Sequence, residues 1–492
     1  MKDKRVSIIG AGFSGLAAAA VLAADGYGVE VFEKNAQVGG RARVMKSNGF
    51  VFDMGPSWYW MPDVFENFYE RFGKWVSDFY ELKKLSPSFR IFYGKDDVLD
   101  IPADENELFE LFEQIEPGAS QKLQEFLCDA KRKYEVAIKN KIVYKPSLSW
   151  TEYADLIFKK DAWTLQLLST FHQHVRKYFR HPKLIQLMEF PVLFLGAMPK
   201  HTPALFSMMN YAGFSLGNFY PMGGMGKITE AMKKIAEENG AIIHTNAEVK
   251  KILSNGRKIS SLIVNDEEIF ADSFIASADY HHAENELLPK EYRMHDEKYW
   301  STRIMSPSSL LFYVGVKKKL PNLLHHNLFF DESFEKHAEE IYGHQQFPSK
   351  PLFYLCCPSK TDDSVAPAGK ENLFILIPLA AGLKDSETMR EKYFRMVLDR
   401  IKTLTGNDFE NEIEFKQSYC LDDFEKDYHA YKGNAYGMAN TFFQTAFFRP
   451  RMQHKKMKNL FFAGQLTVPG PGVPPAIISG QIAAGLVKQF LN

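Results

Sequence analysis

An α/β fold built on a Rossmann-like dinucleotide-binding unit is predicted by three stretches of the sequence. The first is the N-terminal run KRVSIIGAGFSGLAAAAVLAADG, with Gly10, Gly12 and Gly15 in G-x-G-x-x-G spacing. The second, Val29-Glu30-Val31-Phe32-Glu33, reads as a short strand ending in a carboxylate. The third is a glycine- and proline-rich passage running from Gly464 to Gly480.

Val6-Ser7-Ile8-Ile9 is short, apolar and β-branched, as a buried parallel strand requires. Leu16 to Ala24 is rich in Ala and Leu and predicts a helix, which Gly26 and Gly28 end before the second strand. Basic residues ahead of an apolar, small-residue run also describe a secretory signal peptide. That reading gives no reason for the glycine spacing or for the acid that follows, so the segment is expected to stay and the chain to be cytoplasmic. Gly10 permits a tight turn, Gly12 lets backbone approach a pyrophosphate, and Gly15 lets helix and strand pack closely. Ala11 and Ser14 complete the turn, whose helix N-terminus offers N–H groups to phosphate. Glu33, followed by Lys34, stands where an acid accepts hydrogen bonds from ribose hydroxyls.

The next residues choose the dinucleotide. Gly39-Gly40-Arg41 follows the acidic strand, and Phe52-Asp53-Met54-Gly55-Pro56 comes after it. Flavoproteins of the amine-oxidase and glutathione-reductase-like group carry such a G-G-R, with the arginine reaching the phosphates. The resemblance implies FAD.

Further along, Met61-Pro62 is expected to open a helix, residues 82–101 to form short strands, and residues 104–139 to be helical. The apolar passage 190–214 has prolines at 191, 199 and 203, which exclude one continuous helix. It reads as a buried lid, as a collar dipping into one leaflet of a membrane, or as both. A glycine-rich turn, Tyr220 to Lys227, lacks the Lys-Ser/Thr pair of a P-loop and precedes an amphipathic helix from Ile228 to Asn239. Strands at 241–244, 247–252, 259–264 and 273–276 follow; the resemblance to such flavin domains implies that Glu248-Val249 lies near the adenine. Leu310–Val316 and Leu373–Ile377 read as central strands of a second sheet.

Composition excludes several classes of function. Sixty basic residues balance sixty acidic ones, so no field draws nucleic acid. Four cysteines without a C-x-x-C pair argue for a reducing compartment. No apolar run is long enough to span a bilayer. His281-His282 and His325-His326 have no ligands near them at zinc-like spacing, so no metal is expected. The 41 Phe and 22 Tyr suit either core packing or a large apolar cavity.

Near the C-terminus, Lys458 to Gly464 reads as a strand returning to the flavin. Gly464, Gln465, Gly472 and Val473 lie in or beside a rigid loop whose backbone amides can approach a flat ring. Ile477 to Val487 is expected to form the helix after it, its N-terminus favouring negative charge on the reduced ring. With Phe448-Arg449-Pro450, these motifs resemble the bacterial and fungal type of phytoene desaturase, FAD-dependent carotenoid desaturases, over essentially the whole chain.

That resemblance implies an amine-oxidase-like FAD domain at 1–85, 216–300 and 431–492, and a mixed-sheet substrate domain at 86–139 and 301–430. A helical, membrane-associating lid occupies 140–215. It implies stepwise dehydrogenation of phytoene, a C40 hydrocarbon, toward lycopene, at the surface of the cytoplasmic membrane, with oxygen or a quinone as electron acceptor; the alternative is desaturation of another carotenoid, such as a 1-hydroxycarotenoid at its 3,4 bond, or a different amine-oxidase-like flavin oxidation. The stretch DMGPSWYWMPDVFE favours phytoene-using members over relatives acting on hydroxylated carotenoids. Many relatives have His before Pro-Gly in the C-terminal loop; Val468 stands here, and no catalytic residue is assigned.

Overall fold

Five short strands from widely separated parts of the chain make one parallel sheet. Its order is Leu460–Phe462, Ser273–Ala276, Arg5–Ile9, Gly28–Phe32, Ile242–His244. The computed structural model describes residues 4–139, 141–153, 166, 169–193 and 196–492. The helix Phe13–Ala24 is buried from Phe13 to Ala23, as a helix apolar on every side must be. It packs against the sheet, against the helix Gly226–Glu238, and against the C-terminal helix Val473–Leu491.

Two glycines set how close these elements come. A Cβ on Gly15 would lie 2.0 Å from the Gly10 carbonyl oxygen, and one on Gly480 would lie 2.2 Å from that of Ser14. The N-terminal turn and the C-terminal helix are therefore in backbone contact.

A second, seven-stranded mixed sheet runs Ile413–Tyr419, Ser308–Val316, Glu371–Leu379, Phe353–Cys356, His326–Phe329, Phe89–Gly94, Asp97–Ile101. Every residue of Ser308–Val316 is buried, which explains its unbroken apolar sequence. A three-stranded meander, Val249–Asn255, Lys258–Val264 and Glu267–Phe270, flanks the parallel sheet.

The structure departs from the sequence reading at several places. The C-terminal helix starts at Val473, not Ile477, because Pro474 and Pro475 fit its first turn, where N–H groups have no intrahelical partner. The helix Pro182–Leu193 continues past Pro191 before ending, and the chain then proceeds in short turns through Ala204–Ser207, Met208–Asn210 and Tyr211–Leu216. Part of the expected membrane-associating region, including residues 154–165, lies outside the described residues. Among the described residues no helix is long and apolar enough to cross a membrane. The glycine-rich turn wraps a carboxylate: Met225 and Gly226 donate backbone N–H to Asp53 at 2.8 and 3.0 Å.

The helix contact predicts opposite outcomes for two neighbouring glycines. Gly480→Ala should cost about 1–3 kcal/mol by overpacking. Gly485→Ala, where a Cβ meets nothing within 4 Å, should be neutral or stabilising by up to about 1 kcal/mol. Thermal melts of both variants check this.

Candidate functional site

One continuous cavity of ≈ 580 Å³ lies between the two sheets. Its polar limb is made by the N-terminal turn, the end of the second parallel strand and the G-G-R turn. Its apolar limb is made by the seven-stranded sheet and the chain around residues 205–209. The C-terminal loop lies between them.

Gly10, Gly12, Ser14, Glu33, Lys34, Gly39, Gly40, Arg41, Gly55, Pro56, Val249, Gly464, Gln465, Gly472 and Val473 all line this cavity. Ala11 and Gly15 do not, and each has a structural task. The Ala11 backbone N–H donates to Glu33 Oε2 at 2.9 Å, while Gly15 supplies the close contact described above. Glu33 Oε1 also accepts from the backbone and side chain of Asn35, both at 2.9 Å. The carboxylate is thus fixed by three donors at the cavity wall, with lone-pair capacity left over.

The polar limb fits a dinucleotide on two structural grounds. A side chain at Gly12 would meet no protein atom within 4 Å, so it would stand in the cavity where a diphosphate approaches the backbone. Arg41 Nε is buried and has no hydrogen-bond partner, although Arg41 Nη2 donates to the Asn434 carbonyl at 3.2 Å. Burial lowers the Arg41 pKa and raises that of Asp279, which faces it; an anion beside Arg41 would relieve the desolvation of the guanidinium. Arg43 is engaged elsewhere, paired with Asp427.

At the far end of the polar limb His282 and His429 stack with ring centroids 3.8 Å apart and planes 6° apart. Burial holds His282 at about 3, with His429 and Lys34 adding to the shift, so its imidazole is neutral, and burial lowers His429 as well. The sequence marks His282 only as half of the pair His281-His282; its stacking on His429 is set by the fold, which brings the two together from positions far apart in the chain.

The apolar limb was equally hidden. Trp58, Trp60, Met61, Leu205, Phe206 and Met209 line it. On the sheet, Leu311, Leu376 and Tyr354 lie side by side on three adjacent strands. The histidine pair 325–326 also departs from expectation. Strand pairing sets His326 opposite Cys356, and one ligand atom from each of His325, His326 and Cys356 falls within 4.8 Å of the others.

The helix Val473–Leu491 begins at the cavity, but Pro474 and Pro475 carry no N–H. Its partial positive charge faces the cavity with fewer donors than an ordinary helix start.

A cavity joining a dinucleotide cradle to an apolar chamber between two such sheets is the architecture of a flavin oxidoreductase, and sequence comparison agrees. Residues 13–488 match the family of flavin-containing amine oxidoreductases. The chain belongs to that family, and its cofactor is FAD. It is 42% identical over 487 residues to a carotenoid 3,4-desaturase of Haloarcula japonica, covering 98% of each chain. It is 30% identical over 502 residues to a 4,4'-diapophytoene desaturase (4,4'-diaponeurosporene-forming) of Staphylococcus haemolyticus, covering 99% of each. Within the family it falls among the FAD-dependent carotenoid desaturases. A crystal structure of an oxidoreductase from Methanosarcina mazei shares the fold, with a TM-score of 0.63 at 17% identity over 97% of this chain and 99% of that one.

The three-donor anchoring changes what a Glu33 variant should do. Glu33→Ala strands the buried Ala11 N–H, so it should lose stability as well as flavin, by about 1–3 kcal/mol. Glu33→Gln keeps an acceptor oxygen and should melt closer to the wild type while binding FAD about tenfold or more weakly. Flavin fluorescence released on dilution, read beside the melting temperature, separates the two effects.

Proposed function

We propose that the protein dehydrogenates a carotenoid at its 3,4 carbon–carbon bond, with FAD held by the glycine turns, Glu33 and Arg41. The observation that carries this reading is the division of the cavity. Its acidic lining residues, Glu33, Glu248, Asp279 and Asp427, belong to the polar limb, and the apolar limb is walled by aromatic and aliphatic side chains with a few hydroxyls. An amine substrate would find no carboxylate there to pair with its charge, whereas a hydrocarbon needs only to be held against the oxidant. FAD supplies a hydride acceptor. The chain supplies orientation and exclusion of water, and electrons leave to oxygen or a membrane quinone.

The choice of the 3,4 bond over the successive dehydrogenation of phytoene rests on the greater likeness to the 3,4-desaturase, 42% against 30%. That likeness weighs against the phytoene-leaning reading of DMGPSWYWMPDVFE. Purified protein offered separate carotenoids should shift the absorption of an already conjugated one, such as lycopene or its 1-hydroxy derivative, to longer wavelength and leave phytoene colourless. Coloured product from phytoene with no action on lycopene would overturn this choice.

We also propose that substrate enters from lipid beside the turn Ala446–Phe448. Phe447 lines the cavity and is 40% exposed, while Phe443 and Phe448 stand 76% and 43% exposed beside it. Ile304, 50% exposed, joins this patch through hydrogen bonds between its backbone and the Gln444 side chain. Protein mixed with liposomes should float, and replacing Phe443 and Phe448 together by Ser should lower the bound fraction about tenfold with flavin content unchanged.

A further inference from the structure

The apolar limb contains one polar thread that the orientation of a hydrocarbon does not require. Tyr354 and Ser57 line the cavity. The Tyr354 hydroxyl lies 2.6 Å from His326 Nδ1 and can turn its one proton either there or to Ser57 Oγ, the acceptor 3.0 Å away. His326 is buried, is stacked on Trp58 with ring centroids 4.0 Å apart, and its Nε2 has no hydrogen-bond partner. Behind it lie His325, whose Nε2 is likewise unpartnered, and Cys356. A second, water-sized cavity of ≈ 10 Å³ adjoins this cluster. Ser57 and Phe374 line both cavities; Asp53, Tyr220, His325 and Cys356 line the small one.

Burying such a network in an apolar core is costly unless every group is satisfied, and here two imidazole nitrogens are not. Two other polar side chains of the substrate wall are engaged locally. Thr445 Oγ1 donates to the Thr441 carbonyl, and Asn440 Oδ1 accepts from Arg449. Tyr354 differs from them in having an imidazole directly behind it.

Resting on the carotenoid reading above, we propose that Tyr354 accepts the proton released from the substrate and hands its own hydroxyl proton to His326. The balance is complete. One C–H bond leaves as hydride to the flavin with both its electrons. The electron pair of the second C–H bond becomes the new C=C π bond. Its proton moves to the Tyr354 oxygen as the Tyr354 proton moves to His326 Nδ1, and the imidazolium then discharges past the adjoining ring of His325, which lines the water-sized cavity, toward Asp53.

Tyr354 is the catalytic residue; His326 and Ser57 act through it. The electrostatics suit these roles. Burial holds the His326 pKa well below its ordinary value, with His325 adding to the effect, and pushes the Tyr354 hydroxyl well up. The resting pair is therefore neutral imidazole and intact phenol. A weak base suffices, since a cation delocalised over a polyene gives up a proton readily. Burial, reinforced by Asp362, raises Asp53 to about 6, so it can receive and release a proton near neutrality.

Tyr354→Phe, His326→Gln and the double variant test the proposal on whichever carotenoid the wild type converts. Each single variant should lower kcat about 100-fold, with KM, flavin content and flavin spectrum unchanged. The double variant should be no slower than the slower single one, since the two groups act in series. Ser57→Ala, a smaller change, should fold normally and lower kcat less; it carries the test with Tyr354→Phe if His326→Gln misfolds. Wild-type kcat in Tyr354→Phe, multiplicative losses in the double variant, or a fall in flavin content matching the fall in kcat would overturn the relay. A wild type active on carotenoids alongside such variants refutes the relay alone, and one inactive on every carotenoid refutes both readings.

Discussion

The backbone contact between the helices Phe13–Ala24 and Val473–Leu491 is the constraint from which the site follows. Gly480 lets the later helix settle onto the Ser14 carbonyl, and Gly15 lets the earlier one settle onto the turn that feeds it. With both distances fixed, the diphosphate turn and the loop Gly464–Val473 face one cavity. A larger side chain at either glycine would push the two halves of the cofactor site apart. The Ser14 and Ser277 hydroxyls, 2.7 Å apart, and the bond from Gly464 N–H to Ser479 Oγ at 3.0 Å tie the same junction together with polar groups.

The cavity built on this junction divides by dielectric character. At one end a buried guanidinium with an unpartnered Nε, a fixed carboxylate and the start of a helix suit a charged, hydrogen-bonding guest. At the other, side chains from three strands of the mixed sheet and two tryptophans suit a guest with no polar atoms. A single elongated space can hold a dinucleotide and a hydrocarbon because each limb is hostile to the other's occupant. Asp279 faces Arg41, so their opposite charges offset each other at this end of the cavity.

The cofactor half of this arrangement was legible in the sequence because its function depends on backbone. Glycines at fixed spacing, an acid closing a strand and a G-G-R turn are local patterns, and fifteen of the predicted positions meet on one cavity wall. Ala11 and Gly15 carry the same signature while serving the frame. The substrate half was not legible. Tyr354, Leu376 and Leu311 are neighbours only through strand register, and no spacing along the chain announces it. The pair His325-His326 had no companion in the local sequence, and strand pairing sets Cys356 opposite His326. The helix start was misjudged because Pro474 and Pro475 resemble loop residues, whereas proline is well suited to a first helical turn.

The strand order of the parallel sheet also bears on how the molecule is made. Its edge strand, Leu460–Phe462, pairs with Ser273–Ala276, and the helix that clamps the N-terminal turn is made later still. As the chain emerges from a ribosome, the first glycine turn must wait, its cradle half built, until almost all the remaining sequence has followed. Capture of the coenzyme is thereby delayed until the helix Val473–Leu491 has been made, and a polypeptide stopped ahead of it would carry only half of the cradle.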